Sequence, residues 1–112
     1  EAISLDPHFA RTYNDRGNAY VNLGQYERAI EDYNEAIRLD PQFAGTYNNR
    51  GVAYKALGQH KRAIQDYDEA IILEPEYAKA YYLRGLSHNM LGNSEKAAQN
   101  LQKAKELGYE TP

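Results

Sequence analysis

Three histidines (His8, His60, His88), three serines (Ser4, Ser87, Ser94) and 16 Asp and Glu residues could transfer protons, attack as nucleophiles or hold a metal in this 112-residue chain. Their spacing supports none of these. No His pair falls at the four-residue step that puts two imidazoles on one helix face, so a helical metal site has no ligands. Ser87 and His88 are neighbours, and adjacent helix positions point apart. No serine lies in a glycine-flanked nucleophile turn, and the glycines come singly, so nothing cradles a phosphate. Glu31, Asp32, Glu35 and Asp66 sit among Arg and Lys residues and are expected on solvated helix faces, in pairs that contribute little. The chain is therefore expected to be non-catalytic, with no metal and no cofactor.

The elements that carry these side chains repeat. Pro7, Pro41 and Pro75 are 34 residues apart, as are Gly17, Gly51 and Gly85; Gly24, Gly58 and Gly92; and Ala29, Ala63 and Ala97. Residues 10–43 and 44–77 share 21 of 34 positions, and residues 44–77 and 78–111 share 11. A period of this length marks a supersecondary unit that buries its apolar face by stacking on its neighbours. Within each unit, Ala29, Ile30, Tyr33, Ala36, Ile37 and Leu39 fall at three- and four-residue steps and predict an amphipathic second helix. The first helix runs through Tyr13, Gly17, Tyr20 and Leu23 and closes at Gly24, which can adopt the left-handed conformation of a helix cap. Asp40-Pro41 and Glu74-Pro75 end the second helices, because the residue before proline is pushed out of the helical region. Glycine mid-helix costs about 1 kcal/mol relative to alanine. Its recurrence at 17, 51 and 85 therefore implies close approach of two backbones, with Tyr20 and Tyr33 filling the space beside it.

A chain with no Cys and a net charge of -3 offers no thiolate metal site and no basic field for a nucleic-acid backbone. No apolar run reaches bilayer length, and no basic-then-apolar leader opens the sequence. The expectation is a soluble, cytoplasmic protein with no nucleic acid and no membrane among its partners. The 11 tyrosines, with no Trp, are read mostly as packing residues whose hydroxyls stay wet.

These positions resemble the tetratricopeptide repeat. The match is Tyr13, Gly17, Tyr20, Ala29, Tyr33, Ala36 and Pro41 in residues 10–43, and Tyr47, Gly51, Tyr54, Ala63, Tyr67, Ala70 and Pro75 in residues 44–77. Residues 78–112 match at Tyr81, Gly85, Ala97 and Ala104 and depart at His88, Leu101 and Tyr109. The resemblance implies an all-α, right-handed solenoid of three helix-turn-helix units. Residues 1–9, which share seven of nine positions with residues 35–43, are expected to be the end of an upstream helix. Ala98, Leu101 and Lys105, in place of Ile64, Tyr67 and Ile71, make the third unit read as a terminal one.

The same resemblance places the first helices along a concave groove that holds an extended peptide or a partner's helix. The positions that carry over are Arg11, Asn14, Asp15, Asn18, Val21 and Asn22; Gly45, Asn48, Asn49, Val52, Lys55 and Ala56; and Lys79, Tyr82, Leu83, Leu86, Asn89 and Met90. Asparagine amides both donate and accept and suit a peptide backbone. The third unit's apolar set is expected to receive an apolar side chain. Arg11, Lys55 and Lys79 against Asp15 give the groove +2, leaving -5 on the rest of a -3 chain, which favours acidic ligands. A subset of the family clamps the acidic carboxyl terminus of a chaperone with Lys and Asn, Asn, then Lys and Arg. Asn14, Asn18, Asn49, Lys79 and Leu83 occupy those positions here, with Asn14 and Leu83 replacing two cations. The expected activity is a protein-interaction scaffold, monomeric, binding a protein or peptide. Its rivals are end-to-end self-assembly, clamp-like capture of acidic tails and, disfavoured by charge, RNA binding.

Overall fold

The computed structural model describes residues 7–110. Among them are six helices: α1 (Pro7–Asn22), α2 (Tyr26–Leu39), α3 (Ala44–Ala56), α4 (His60–Leu73), α5 (Ala78–Met90) and α6 (Ser94–Glu106). Each packs on its successor in sequence, and α1, α3 and α5 also touch in order, so the first helices share one face of a body 44 × 26 × 23 Å. This is an all-α solenoid of three helix pairs. α1 opens at Pro7, inside the stretch read as the end of an upstream helix; Pro suits a first helical position because its missing N–H would have no helical partner there. The rest of that stretch, residues 1–6, lies outside the described residues.

The helix stops follow the glycine pattern. Gly24, Gly58 and Gly92 have φ of 75°, 77° and 81°, left-handed values that side chains with a Cβ rarely adopt. At Gly51 the requirement is space: a Cβ there would lie 2.6 Å from Cε1 of Tyr67. Tyr67 and Tyr33 are fully buried, each ring lying against a glycine of the preceding helix. Ala29 and Tyr33 pack with Ala53, and Ala44, Ala70 and Ala80 form a second cluster at other positions of the repeat. Small residues set the interhelix distance, and tyrosine fills what remains. Burial of each such ring is worth about 1.5–3 kcal/mol.

The carboxylates depart from expectation. Asp32 and Asp66 are buried, each gripped by both arms of an arginine on the partner helix: Arg16 at 2.8 and 2.8 Å, Arg50 at 2.9 and 2.7 Å. The pairing distance is 16 residues, from first helix to second, which a single-helix rule cannot see. Burial pushes the Asp66 carboxyl up, outweighing the pull of Arg50. Glu35 remains the expected exposed pair with Arg38, three residues away. Each arginine also lies over tyrosine rings, Arg16 over Tyr13 and Tyr20, Arg50 over Tyr47 and Tyr54, and Arg84 over Tyr81.

Candidate functional site

The shared face of the first helices contains a cleft of about 230 Å³. Asn18, Val21 and Asn22 come from α1, Tyr33 from α2, Asn49 and Val52 from α3, and Lys79 from α5. Each first helix brings its lining residues to the cleft because successive units repeat the same rotation about the array axis. The resulting site spans all three units.

Its hydrogen-bonding state follows from two internal contacts. The Tyr33 hydroxyl donates to Oδ1 of Asn18 at 2.6 Å, so the Asn18 amide keeps both N–H groups to give. Burial, assisted by the charge of Asp32, pushes the Tyr33 phenol up and keeps it a neutral donor. Nδ2 of Asn49 donates to Oδ1 of Asn14 across the α1–α3 junction at 3.1 Å. That leaves Asn49 one N–H and its carbonyl oxygen. With the exposed ammonium of Lys79 and no carboxylate among the lining residues, the cleft is rich in donors and suited to oxygen-bearing ligands. The amide oxygens of Asn49 and Asn22 can meet a peptide N–H.

A second hollow of about 630 Å³ lies at the carboxyl end, lined by Tyr82, Leu86, Leu101, Ala104, Lys105, Tyr109 and Glu110. The rings of Tyr82 and Tyr109 meet there at 4.7 Å. The structure thus divides the groove set. Asn18, Val21, Asn22, Asn49, Val52 and Lys79 converge in the first hollow, and Tyr82 and Leu86 open on the second. Arg11, Asp15 and Asn89 are exposed and line neither hollow, nor do half-buried Lys55 and Leu83, nor Gly45, Ala56 and Met90.

Asn14 and Asn48 are corrections to the groove reading. Asn14 is buried as the acceptor for Asn49, and Asn48 is 1% exposed with an Oδ1 that finds no donor among the described residues. Asn48 lies one residue from cleft-lining Asn49, a step of about 100° along the helix that turns it into the protein, and Asn14 is turned to α3 by its bond to Asn49. Leu101, Ala104, Lys105, Tyr109 and Glu110 were missed because they belong to the second helix and its tail. Tyr109, standing where a proline stands in the earlier units, was the available signal.

Family models described as tetratricopeptide repeat match residues 1–31, 44–77 and 78–107, and one described as TPR repeat matches residues 17–58. The first tetratricopeptide domain of Spaghetti (RPAP3), solved with the HSP90 peptide SRMEEVD, is 31% identical at a TM-score of 0.91, over 95% of this chain and 84% of that one. The chain belongs to the tetratricopeptide repeat family. The second such domain of human RPAP3, solved with the HSP70 peptide SGPTIEEVD, is 36% identical at a TM-score of 0.87 over 92% of this tetratricopeptide array and 87% of that chain. The Arabidopsis OM64 domain is 29% identical at a TM-score of 0.90, over 91% and 84%. No curated protein sequence is significantly similar to the array. Among its described residues, no helix is long and apolar enough to cross a membrane, and no group of three or more His, Asp or Glu could hold a metal ion.

Proposed function

We propose that this tetratricopeptide array is a non-catalytic scaffold that binds an extended acidic segment of a partner protein in the cleft between α1, α3 and α5. The observation that carries the reading is the convergence of Asn18, Asn49 and Lys79, with both N–H groups of the Asn18 amide, one of the Asn49 amide and the Lys79 ammonium left to donate. Asn18 and Lys79 donate to carboxylate or peptide oxygens, and Asn49 pairs with a peptide group through its free N–H and its carbonyl. The peptides held by the two RPAP3 domains both end in Glu-Glu-Val-Asp, which supports an acidic ligand. Val21 and Val52 give the cleft apolar walls, and Tyr82 and Leu86 offer a separate apolar hollow to a longer ligand.

The grip on a terminal carboxylate is weaker than in a complete clamp. Asn14 is spent inside the fold on Asn49, and Leu83 brings no charge, so the two cations that would add charge-assisted bonds are lacking. The ligand is therefore selected by side-chain acidity along its length more than by its free end.

An amide-resolved NMR titration with the peptide SRMEEVD, free and carboxyl-amidated, tests this. The expected result is shifts at Asn18, Asn49 and Lys79 with both forms, and affinity about tenfold weaker in Lys79→Ala, the size of one lost charge-assisted bond. Shifts confined to Tyr82 and Leu86, or none, would overturn the reading.

A further inference from the structure

A carboxamide can face a ligand with either sign of hydrogen bond, because a half-turn about its last bond exchanges the oxygen for the N–H groups. Whether Asn18 attracts an acid therefore depends on what holds the other end of its amide. Positions 18 and 33 correspond to 52 and 67 in the second unit and to 86 and 101 in the third. The pairs are asparagine with tyrosine, valine with tyrosine, and leucine with leucine. The first pair alone joins an amide to a hydroxyl.

Three observations make the Tyr33 hydroxyl a fixed donor. The ring is fully buried and lies so close to α1 that a Cβ at Gly17 would come within 2.6 Å of its Cε1, so it has no room to swing away. Burial, assisted by the charge of Asp32, pushes the phenol up and keeps the proton on the oxygen. The hydroxyl has one acceptor among the described residues, Oδ1 of Asn18 at 2.6 Å. A buried O–H left without an acceptor costs the desolvation of that group, so the amide is held with its oxygen toward the ring. Both N–H groups of Asn18 are left for the cleft, which Lys79 also lines. Donation into Oδ1 also polarises the amide and strengthens the bonds those N–H groups give.

We propose that Tyr33 is a positioning residue that sets the acid preference of the cleft by holding Asn18 as a donor. The role rests on the reading of this cleft as the site for an acidic segment. A ligand carboxylate accepts from Asn18 with nothing left over, whereas a ligand carboxamide must turn its own N–H groups to an acceptor elsewhere. A reciprocal amide pair, which needs Asn18 to show oxygen and N–H together, is opposed while the oxygen is turned to Tyr33. The second unit contains the same device with one part missing. Tyr67 is as buried as Tyr33, and its hydroxyl has no partner among the described residues. Val52 lines the same cleft and brings no acceptor. An asparagine at 52 meets that waiting hydroxyl and becomes a second amide held as a donor.

The test compares SRMEEVD with SRMQQVD, in which both glutamates are replaced by glutamine, by amide-resolved NMR titration of the intact protein. The parent is expected to favour the acid by about tenfold, and Tyr33→Phe, which keeps the ring against Gly17, to shrink that preference about threefold by weakening the acidic peptide alone. A purely structural role would weaken both peptides alike. Val52→Asn should tighten SRMEEVD about threefold and leave SRMQQVD unchanged, and adding Tyr67→Phe should remove the gain. An acid preference equal in the parent and in Tyr33→Phe, or a gain in Val52→Asn that survives Tyr67→Phe, would overturn the role of the tyrosines and leave the cleft as a binding site. No binding of SRMEEVD by the parent would overturn the binding site itself, and the role of Tyr33 with it.

Discussion

The second and third units solve the same packing problem with different residues. In the second, a buried carboxylate within the unit, Asp66, accepts from Nε and Nη2 of Arg50, and a neutral amide in the preceding unit, Asn34, accepts from Nη1. In the third, the charge and the amide have changed places. Asn100 accepts from Nε of Arg84 inside the unit, and Asp68, one unit back, takes Nη1. Asn100 also donates to the carbonyl of Lys96 at 2.8 Å. Two substitutions that look like drift in a position-by-position alignment are one compensated exchange. It moves the ion pair from the inside of a unit to the junction between units, where Asp68 is half-exposed and the desolvation penalty is smaller. The third unit is thereby held more by its neighbour and less by itself.

The sharpest way to break this comparison is the glycine beneath the ring. Gly51→Leu drives a branched side chain into fully buried Tyr67 and is expected to cost more than about 3 kcal/mol, enough to unfold the array in a thermal melt. A melting temperature equal to the parent's would refute the packing account. Gly85→Ala should stay near neutral. Its nearest contact is Cδ2 of Leu101 at 3.0 Å, a movable methyl, and about 1 kcal/mol of helix propensity offsets the crowding against the backbone oxygen of Ala97 at 3.2 Å.

Moving the charges should come next in size. Asp66→Asn leaves the half-buried Arg50 without its ionic partner and is expected to cost about 2–3 kcal/mol in urea unfolding. Asn100→Asp adds a carboxylate for Arg84 but sets it against the Lys96 carbonyl, for a net change within about 1 kcal/mol. Equal losses in the two variants would mean that the location of the charge is immaterial.

A smaller effect separates the units by polar satisfaction. The Tyr33 hydroxyl has Asn18 as acceptor, whereas the Tyr67 hydroxyl is buried with no partner among the described residues because Val52 stands where Asn18 does. Val52→Asn should supply the acceptor and stabilise by up to about 1 kcal/mol. A loss of stability would show that the valine is needed for packing.

The smallest effect is a pH dependence confined to the third unit. His88 replaces the tyrosines at 20 and 54. Burial, then Lys96 on α6 and Arg84 on α5, pull its pKa below the ordinary value of 6.5 against the opposing charge of Asp68 on α4. A histidine with a depressed folded-state pKa contributes stability that is present above 6.5 and lost as pH falls through the folded value. Acidification toward pH about 5 should therefore soften α5 and α6 in hydrogen exchange, and His88→Tyr should flatten that response.

The period, the caps, the buried alanines and the Gly–Tyr packing were legible because each leaves a residue type at a fixed position of the unit. The Arg16–Asp32 and Arg50–Asp66 grips were not, although both residues recur at the same spacing. The rules for reading charges reach one helical turn, and these pairs cross between helices. The groove was legible to the helix but not to the residue. Asn48 and Asn49 are the same amino acid one position apart, and only the rotation per residue decides that Asn49 lines the cleft while Asn48 is buried. The carboxyl-terminal hollow depends on Tyr109 packing on Tyr82, a contact no periodicity encodes.

Leu101 in place of a tyrosine also gives the molecule an optical asymmetry. Tyr33 and Tyr67 are buried so that their phenols are pushed well above the ordinary tyrosine value of about 10, whereas the third unit has no phenol at that position. Because the fold raises these two pKa values, the stability they contribute is present below about 10 and lost as pH rises through the folded values. In an alkaline titration these two phenols ionise late, as their units open, and Tyr47 and Tyr77, which burial also raises, lie in the same stretch of residues 10–77. The late phenolate absorbance therefore reports the opening of the first two units and is blind to the third, so a chain without tryptophan carries its own unit-resolved optical probe.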